Sequence, residues 1–430
     1  MPSLKRGATL KTLEGESLQV VDILGEGGQG IIYRVRFRKE YYALKWYKKI
    51  ESQRFYDNLK ENVARGSPAP TFLWPLAVTE KDEKGGFGYV MQVKPDCYKD
   101  FSLFILNRVK FSSFAAVINA ALQITASFKT LHNKGLSYQD LNDGNFFIDP
   151  ATGEVLICDN DNVAPYGESL GIAGKARYMA PEVVRNITRP NVMTDRFSLT
   201  VVLFRLLFLD HPLEGRRVVE APCLTEELEL KFYGKNPVFV YDPLDNSNRP
   251  VRGVHANVVR FWPMYPKFIR DKFVEALSQE AMHGQKPRPT DNDWQQCFTR
   301  LRDCIVTCSC GEETFLAPGE DSFCINCGRK IPKPPALNCH NGKYEPPLFP
   351  GVKLYRCHVD KLSDDYCEVI GEVVRNPKNP GVWGLRNLSD MVWNAETQDG
   401  EIRPVGRGQI APVMQIKALH FPNGTGNVEK

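Results

Sequence analysis

The chain has 430 residues, a formal net charge of +4, 42% hydrophobic residues and 25% charged residues. Its length exceeds what one ordinary hydrophobic core supports, so we expect two or three domains. The small charge gives no support for a nucleic-acid-binding protein, which usually carries a basic face or arm. The longest apolar run, near residues 197–209, is short for a membrane span and contains Arg205, so we interpret it as a buried helix.

The start of the chain, residues 1–18, is polar and lacks the apolar segment of a signal peptide. We expect this segment to form a flexible arm. The chain has 12 cysteines. Five of them lie between residues 304 and 327, and the others are scattered. Without an export signal, such a cluster indicates metal binding rather than disulfides, which predicts a reducing, cytoplasmic location.

A glycine-rich loop follows an apolar run near the start of the chain. Gly25, Gly27 and Gly30 have the spacing G-x-G-x-x-G, with strand-like runs before and after them. Because glycine has no side chain, this backbone can approach phosphate oxygens closely. A dinucleotide-binding loop of the same spacing would open a helix, whereas the run Ile31 to Val35 is β-type. The pattern favours a phosphate-binding hairpin, and a plain glycine-rich hairpin is the alternative.

Further motifs follow the glycine loop along the chain. They are Tyr42-Ala43-Leu44-Lys45, Tyr138-Gln139-Asp140-Leu141-Asn142-Asp143-Gly144-Asn145, Val155-Leu156-Ile157-Cys158-Asp159, Met179-Ala180-Pro181-Glu182 and Lys286-Pro287-Arg288-Pro289-Thr290. In order and spacing, the set resembles the eukaryotic-like protein kinase family over about residues 18–303. The resemblance implies an α+β, bilobal protein-kinase fold over residues 19–303, with a β-rich N-lobe and a helical C-lobe.

The resemblance also implies an ATP site beneath the glycine loop. Lys45 would contact the α- and β-phosphates and pair with a glutamate on the next helix, for which Glu61 is the best candidate. The alternative for Glu61 is a solvated helix face. Met91 would line the back of the adenine pocket, and backbone groups of Gln92 and Val93 would bind the adenine edge.

A phosphoryl-transfer site is implied by the later motifs. Asp140 would accept or orient the proton of the substrate hydroxyl, whereas Asn145 and Asp159 would hold Mg²⁺ against the phosphates of ATP. Arg288 would form a buried ion pair with Glu182. The implied reaction transfers the γ-phosphoryl group of ATP to a Ser or Thr hydroxyl of a protein.

Several positions depart from the family pattern. Gln139 replaces the usual arginine, so a phosphorylated activation loop lacks its partner and we expect weak dependence on loop phosphorylation. Asn142 replaces the lysine that Ser/Thr kinases place near the γ-phosphate, which removes one cation from the transition state. Asp161, two residues after Asp159, would add a second carboxylate near the metal or remain solvated. Lys175 replaces a threonine, which weakens the assignment of Ser or Thr as acceptor.

Two other functions stay open at this point. Small-molecule kinases of the aminoglycoside and choline type have a similar Asp-Leu-x-x-x-Asn loop, although the Ala-Pro-Glu motif and Arg288 favour a peptide-binding lobe. A pseudokinase scaffold would explain the lost arginine and lysine of the catalytic loop. Against the scaffold, Lys45 and the proton-accepting and metal-holding residues are all present.

Residues 304–331 contain two close cysteine pairs in the pattern C-x-C and C-x-x-C. Two such pairs can hold Zn²⁺ in a tetrahedron of thiolates, which leaves no open position for catalysis. So short a segment has too little core to fold without metal. We predict a structural zinc ribbon, with Cys304 as a reserve ligand. The alternative is that these cysteines are reduced, structural and without metal. The four predicted ligands are Cys308, Cys310, Cys324 and Cys327.

The remainder of the chain predicts a linker and a small all-β domain. Residues 332–336 are Pro-rich and stiff, and from 337 to 430 short β-type runs alternate with turn residues. Asn423-Gly424-Thr425 resembles a motif of forkhead-associated domains, β-sandwiches that bind phosphothreonine, although the phosphate-reading arginine and serine of that family are not evident.

Taken together, kinase, zinc ribbon and β tail resemble bacterial serine/threonine kinases encoded beside von Willebrand A-type proteins and metal-dependent phosphatases in tellurite-resistance-like gene clusters. The resemblance implies bacterial phosphosignalling, with a protein substrate and partners of those two kinds. It implies neither a nucleic-acid partner nor a membrane.

Overall fold

The computed structural model describes residues 4–168, 170, 174–317 and 319–429. Contacts between Cα atoms divide the chain into two compact units. The first consists of residues 1–112, 119–259 and 273–293, and the second of residues 113–118, 260–272 and 294–430.

A six-stranded antiparallel sheet in the order β1-β2-β3-β4-β6-β5 forms the β-rich N-lobe of the first unit. The strands are β1 (Thr9–Lys11), β2 (Ser17–Glu26), β3 (Gly30–Phe37), β4 (Glu40–Tyr47), β5 (Ala77–Val78) and β6 (Gly88–Met91). Side chains alternate across β3, so that Tyr33, Val35 and Phe37 are buried in the apolar core beneath the sheet. The glycine-rich loop joins β2 to β3.

The predicted N-terminal arm is part of this sheet. Thr9 to Lys11 pair with β2, and the Leu4 amide donates to the Tyr33 hydroxyl over 2.9 Å. Leu4 and Leu10 pack against the core that contains buried Leu18. The prediction of a flexible arm is therefore wrong for residues 4–18, because alternate apolar side chains cover the open edge of the sheet. Residues 1–3 lie outside the described residues.

One helix, α1 (Gln53–Arg65), lies between β4 and β5 in the chain. The Ser52 hydroxyl accepts a hydrogen bond from the Phe55 amide over 3.1 Å, which caps the first turn. Gly66 ends the helix with a φ of 73°, in the region that favours glycine. The helix contains Glu61, the residue predicted to pair with Lys45.

Residues 99–303 are mainly helical, as predicted. The helices are α2 (Phe101–Ile105), α3 (Phe114–Asn133), α4 (Pro181–Val184), α5 (Val192–Phe208), α6 (Arg216–Val219), α7 (Glu226–Glu229), α8 (Ala256–Phe261), α9 (Lys267–Ala276), α10 (Gln279–Met282) and α11 (Asp291–Asp303). Short strands lie among them: β7 (Lys99–Asp100), β8 (Leu136–Ser137), β9 (Phe146–Ile148), β10 (Val155–Ile157) and β11 (Ala164–Pro165).

Two small sheets, β10-β9-β7 and β11-β8, position the loops that carry Asp140 and Asp159. The loop with Asp140 and Asn145 connects β8 to β9, and Asp159 follows β10. The apolar run predicted as a buried helix is α5, whose apolar residues are almost fully buried. Of the described helices, α3 is long and apolar enough to cross a membrane, but 61% of its most apolar window is buried inside the structure.

The second unit contains the C-terminal β region. Its strands are β12 (Ile305–Thr307), β13 (Glu313–Phe315), β14 (Ala336–Cys339), β15 (Lys353–Tyr355), β16 (Val369–Arg375), β17 (Trp383–Asn387), β18 (Trp393–Thr397), β19 (Ile402–Val405), β20 (Ile410–Pro412), β21 (Ile416–Phe421) and β22 (Gly424–Glu429), with one helical turn, α12 (Arg356–Val359). They form a β12-β13 hairpin and sheets in the orders β14-β22-β21-β18-β19 and β15-β16-β17-β20.

The C-terminal region is therefore all-β apart from α12, as predicted. One apolar core contains side chains from both of its larger sheets, including the fully buried Trp393. β14 begins at Ala336, the last residue of the segment predicted as a linker. The likeness to a forkhead-associated domain stays a prediction.

Candidate active site

The glycine loop is a tight hairpin in which the Gly27 amide donates to the Gly30 carbonyl over 2.9 Å. A Cβ added at Gly30 would lie 2.8 Å from the Trp46 carbonyl oxygen, so strand pairing itself requires glycine there. A Cβ at Gly25 would meet no described atom within 4 Å. Packing therefore does not require glycine there, and the open position is compatible with the close approach of a phosphate.

Lys45 lies at the centre of a buried charge cluster. Its Nζ is 2.9 Å from an Asp161 carboxylate oxygen, 3.1 Å from Asp159 and 3.3 Å from the Gln29 amide oxygen. Asp161 is fully buried and also accepts a 2.5 Å hydrogen bond from the Tyr47 hydroxyl. Burial alone would lower the pKa of Lys45, but the carboxylates of Asp161 and Asp159 outweigh it and hold that pKa above its ordinary value. The ammonium is therefore charged at neutral pH.

The predicted partner of Lys45 is wrong. Glu61 is exposed and bonds Arg65, one helical turn later, over 2.6 Å. The buried face of α1 instead carries Asn58 and Asn62, whose amides both donate to the Val163 carbonyl. Glu61 is next to Asn62 in a helix, about 100° round from it, and so points away from the core.

Asp161 supplies the negative charge that the helix lacks. From the sequence, Asp161 was expected to be a second metal carboxylate or a solvated group, and neither role matches a side chain that is fully buried against Lys45. One signal was available. The face of α1 that carries its apolar residues has two asparagines and no acid. The negative charge that neutralises Lys45 is therefore expected from another element.

The predicted adenine site continues from this cluster. Met91 ends β6 and is paired in register with Ala43, two residues before Lys45. Met91, Ala43 and Val93 belong to one apolar group, whereas Gln92 is exposed. These positions are compatible with an apolar ring binding at the end of β6, and the contacts of Gln92 and Val93 with adenine stay predictions.

Asp140 is held by the loop that follows it. The Asn142 side-chain amide donates to the Asp140 carboxylate over 3.2 Å, and the Asn142 backbone amide donates to the Asn145 side chain over 2.9 Å. Burial raises the pKa of Asp140 to about 6, against a smaller lowering by the Asn142 bond. Asp140 is therefore mainly ionised at neutral pH, yet basic enough to accept a proton.

Asp195 on α5 anchors the loop that carries Asp140. Its carboxylate accepts hydrogen bonds from the Tyr138 amide over 2.6 Å and the Gln139 amide over 3.4 Å. His132 lies between Asp195 and Asp291, 3.2 and 2.8 Å away. Burial would lower the pKa of His132, but the two carboxylates raise it to about 9. His132 was not predicted from the sequence, since nothing in its local pattern marks it.

Asn145 and Asp159, the predicted magnesium ligands, meet at the same place. The Asn145 amide nitrogen donates to an Asp159 carboxylate oxygen over 3.4 Å, and the other Asp159 oxygen faces Lys45. Asp159 has a φ of 55°, in the left-handed region, and its side chain is 39% exposed. An accessible carboxylate beside an amide fits Mg²⁺, which takes one or two protein oxygens and keeps its other positions for phosphate and water.

Gln139 ties the catalytic loop to the segment after β11. Its side-chain amide donates to the Glu168 carbonyl over 2.7 Å and accepts from the Leu170 amide over 3.3 Å. Two neutral hydrogen bonds to backbone thus hold this segment where the family uses arginine and a phosphate. The predicted ion pair between Arg288 and Glu182 is present with two bonds of 2.7 and 2.8 Å.

The four predicted zinc ligands converge within the second unit. All four Sγ atoms lie within 4.8 Å of one another, and the Cys308–Cys327 and Cys310–Cys324 Sγ pairs are 3.8 and 3.5 Å apart. Zn–S bonds of about 2.3 Å in a tetrahedron require sulfurs about 3.8 Å apart, so the donor set fits zinc. Cys304 is buried outside this group.

Comparison with known proteins supports the same interpretation of the first unit. Residues 84–232 match the family model described as Protein kinase domain. The match contains the Asp140 loop, Asp159, Glu182 and Asp195, and the glycine loop and Lys45 precede it.

Three curated relatives are similar to the chain. Protein kinase C delta type of Rattus norvegicus is 24% identical over 46% of this chain and 30% of its own length. G protein-coupled receptor kinase 2 of Caenorhabditis elegans is 30% identical over 26% of this chain and 16% of its own length. Beta-adrenergic receptor kinase 1 of Homo sapiens is 31% identical over 26% of this chain and 17% of its own length. The chain thus spans less than a third of each of these relatives. Together with the site geometry, they support the assignment of a protein kinase domain to the matched residues.

Proposed function

We propose that this protein transfers the γ-phosphoryl group of ATP to a hydroxyl group of a protein substrate. One observation carries the proposal: Lys45, Asp159, Asn145 and Asp140 are linked by successive contacts around a single site. An ammonium, an accessible carboxylate, an amide and a basic carboxylate are the groups that phosphoryl transfer needs.

In this reaction the substrate hydroxyl oxygen forms a bond to the γ-phosphorus while the bond from that phosphorus to the β–γ bridging oxygen breaks, and ADP leaves. Asp140 accepts the hydroxyl proton. Lys45 orients the α- and β-phosphates, and Asn145 and Asp159 would hold Mg²⁺. Mg²⁺ held by these two side chains would offset the negative charge of the phosphates.

We further propose Ser or Thr as the acceptor and bacterial phosphosignalling as the setting. The relatives are named protein kinase C and receptor kinases, and the Arg288–Glu182 pair supports the lobe that would bind a peptide. The proposed partners, a von Willebrand A-type protein and a cognate phosphatase, rest on the family resemblance. The proposed cytoplasmic location rests on the cluster of reduced cysteines.

The test is phosphate incorporation by the purified full chain with Mg²⁺ and labelled ATP. Protein acceptors and small alcohols such as an aminoglycoside and choline are compared, and mass spectrometry identifies the phosphorylated residue. We expect phosphoserine or phosphothreonine in a protein, and none with Asp159→Ala. Equal background in both proteins would favour a pseudokinase scaffold, and phosphorylation of the small alcohols alone would favour a small-molecule kinase.

For the cysteine cluster we propose a structural zinc ion. Metal analysis of protein purified without chelator should give about one zinc per chain, and Cys324→Ser should lose it. Cys223→Ser, at an exposed cysteine outside the cluster, is the matched control. Absence of zinc in the wild type would remove this proposal without affecting the kinase proposal.

A further inference from the structure

Two departures from the family pattern touch each other. Asn142 stands where a lysine is usual, and Lys175 stands where a threonine is usual. The Lys175 Nζ donates to the Asn142 side-chain oxygen over 2.9 Å, and the Asn142 nitrogen donates to the Asp140 carboxylate over 3.2 Å. One amide group therefore separates an ammonium from the carboxylate that accepts the proton.

The surroundings leave this ammonium open to a ligand. The Lys175 side chain is 57% exposed, and the nearest acid, Asp143, is 3.9 Å away. Asp143 has a closer partner in the buried Arg205, at 3.1 Å. The Lys175 ammonium is therefore accessible to an approaching anion.

The loop also leaves room for the Asn142 side chain. Gly144 has no side chain, and a Cβ added there would lie 3.7 Å from the Lys175 Nζ and 3.1 Å from the Asn142 oxygen. The Gly144 amide donates to that same oxygen over 3.0 Å, so the Asn142 side chain is held in the orientation that receives Lys175.

We propose that Lys175 is a catalytic residue that supplies, from the segment before α4, the cation at the γ-phosphate that the catalytic loop lacks. The inference rests on the proposed function. In phosphoryl transfer, negative charge is spread over the oxygens of the moving group, and a positioned cation beside it lowers the barrier. Asn142 positions that cation, so the two substitutions compensate each other.

Four variants of the full chain test the inference. Lys175→Met removes the charge at similar length, Lys175→Arg keeps it, and the double variant Asn142→Lys with Lys175→Thr moves the cation to the catalytic loop. Lys110→Met, at an exposed lysine outside the site, is the matched control. We expect Lys175→Met to lower kcat about 100-fold with a smaller change in KM for the protein substrate, the size seen for one lost transition-state donor.

The double variant and Lys175→Arg should recover at least about tenfold over Lys175→Met, whereas Lys110→Met should equal the wild type. A purely structural role of Lys175 would not be rescued by a lysine at another position. Wild-type kcat in Lys175→Met, or a double variant no better than Lys175→Met, would overturn the inference.

Calorimetry separates failure of this inference from failure of the proposed function. The Mg²⁺ complexes of a non-hydrolysable ATP analogue and of ADP are titrated into the wild type and Lys175→Met. We expect the variant to lose about tenfold in affinity for the triphosphate and little for ADP, since only the triphosphate carries the γ-phosphate. If the wild type transferred no phosphate but this difference appeared, the proposed function would fail, whereas the contact between Lys175 and the γ-phosphate would stand. Equal losses for both nucleotides would contradict the inference.

Discussion

The charge clusters around Lys45 and around Lys175 are alike in composition but differ in exposure to solvent. In each, a charge absent from the expected element is supplied by a residue from another part of the chain. The Lys45 and Asp161 side chains are 4% and 0% exposed, whereas Lys175 is 57% exposed. A buried charge needs a permanent partner, while an exposed one keeps its charge available to a ligand. The first cluster should therefore govern stability as well as activity, and the second activity alone.

The largest expected effect tests the buried cluster. Asp161→Asn removes the counter-charge of Lys45 and leaves only Asp159, so we expect a loss of about 3 kcal/mol in the free energy of unfolding. Urea denaturation followed by circular dichroism measures it. Adding Lys45→Met should recover part of the loss, because no unpaired ammonium remains. A single Asp161→Asn variant as stable as the wild type would break the comparison.

At the partly exposed site, Asp140→Asn should remove about 10²–10⁴-fold of kcat because no base accepts the proton. Its unfolding free energy should not fall, since burial already disfavours the ionised carboxylate. In the wild type, kcat/KM should be constant above the Asp140 pKa of about 6 and decrease as pH falls through it. An initial-rate pH profile measures this, and a profile without an acidic limb near that pH would contradict the assigned role.

An intermediate effect is expected at Gln139. Gln139→Ala removes two hydrogen bonds to the segment after β11, worth about 1 kcal/mol each. Hydrogen exchange of the Leu170 amide should accelerate by about tenfold or more, measured by mass spectrometry. Phosphatase treatment of the wild type should leave its activity unchanged, because neutral bonds hold the segment. Activity abolished by complete dephosphorylation would refute this explanation.

The smallest effect is expected at the helix position that the family pattern favours. Glu61→Gln breaks only an exposed bond to Arg65, so the unfolding free energy should change by less than about 0.5 kcal/mol. The affinity for ATP should be unchanged in an equilibrium titration. A large loss of affinity would mean that Glu61 reaches Lys45 when nucleotide binds, and would return Asp161 to a secondary role.

Much of the site could be predicted because its parts are local. Asp140 and Asn145 share one short loop, and each zinc-ligand pair lies within four residues, so spacing alone brings their side chains together. The N-terminal segment was predicted less well. Its few leucines are too sparse to mark a strand, and only the open edge of β2 gives them something to cover.

By itself the sequence determined the order of the phosphate-binding, proton-accepting and metal-holding groups, the helical and β-rich regions, and the cysteine pairs. Only the tertiary structure decided which acid neutralises Lys45 and where the Lys175 ammonium lies. Those contacts join residues 116 and 33 positions apart in the chain. Contacts of that kind depend on how separate elements pack. Local spacing in the sequence does not determine which of several acids or lysines makes the contact.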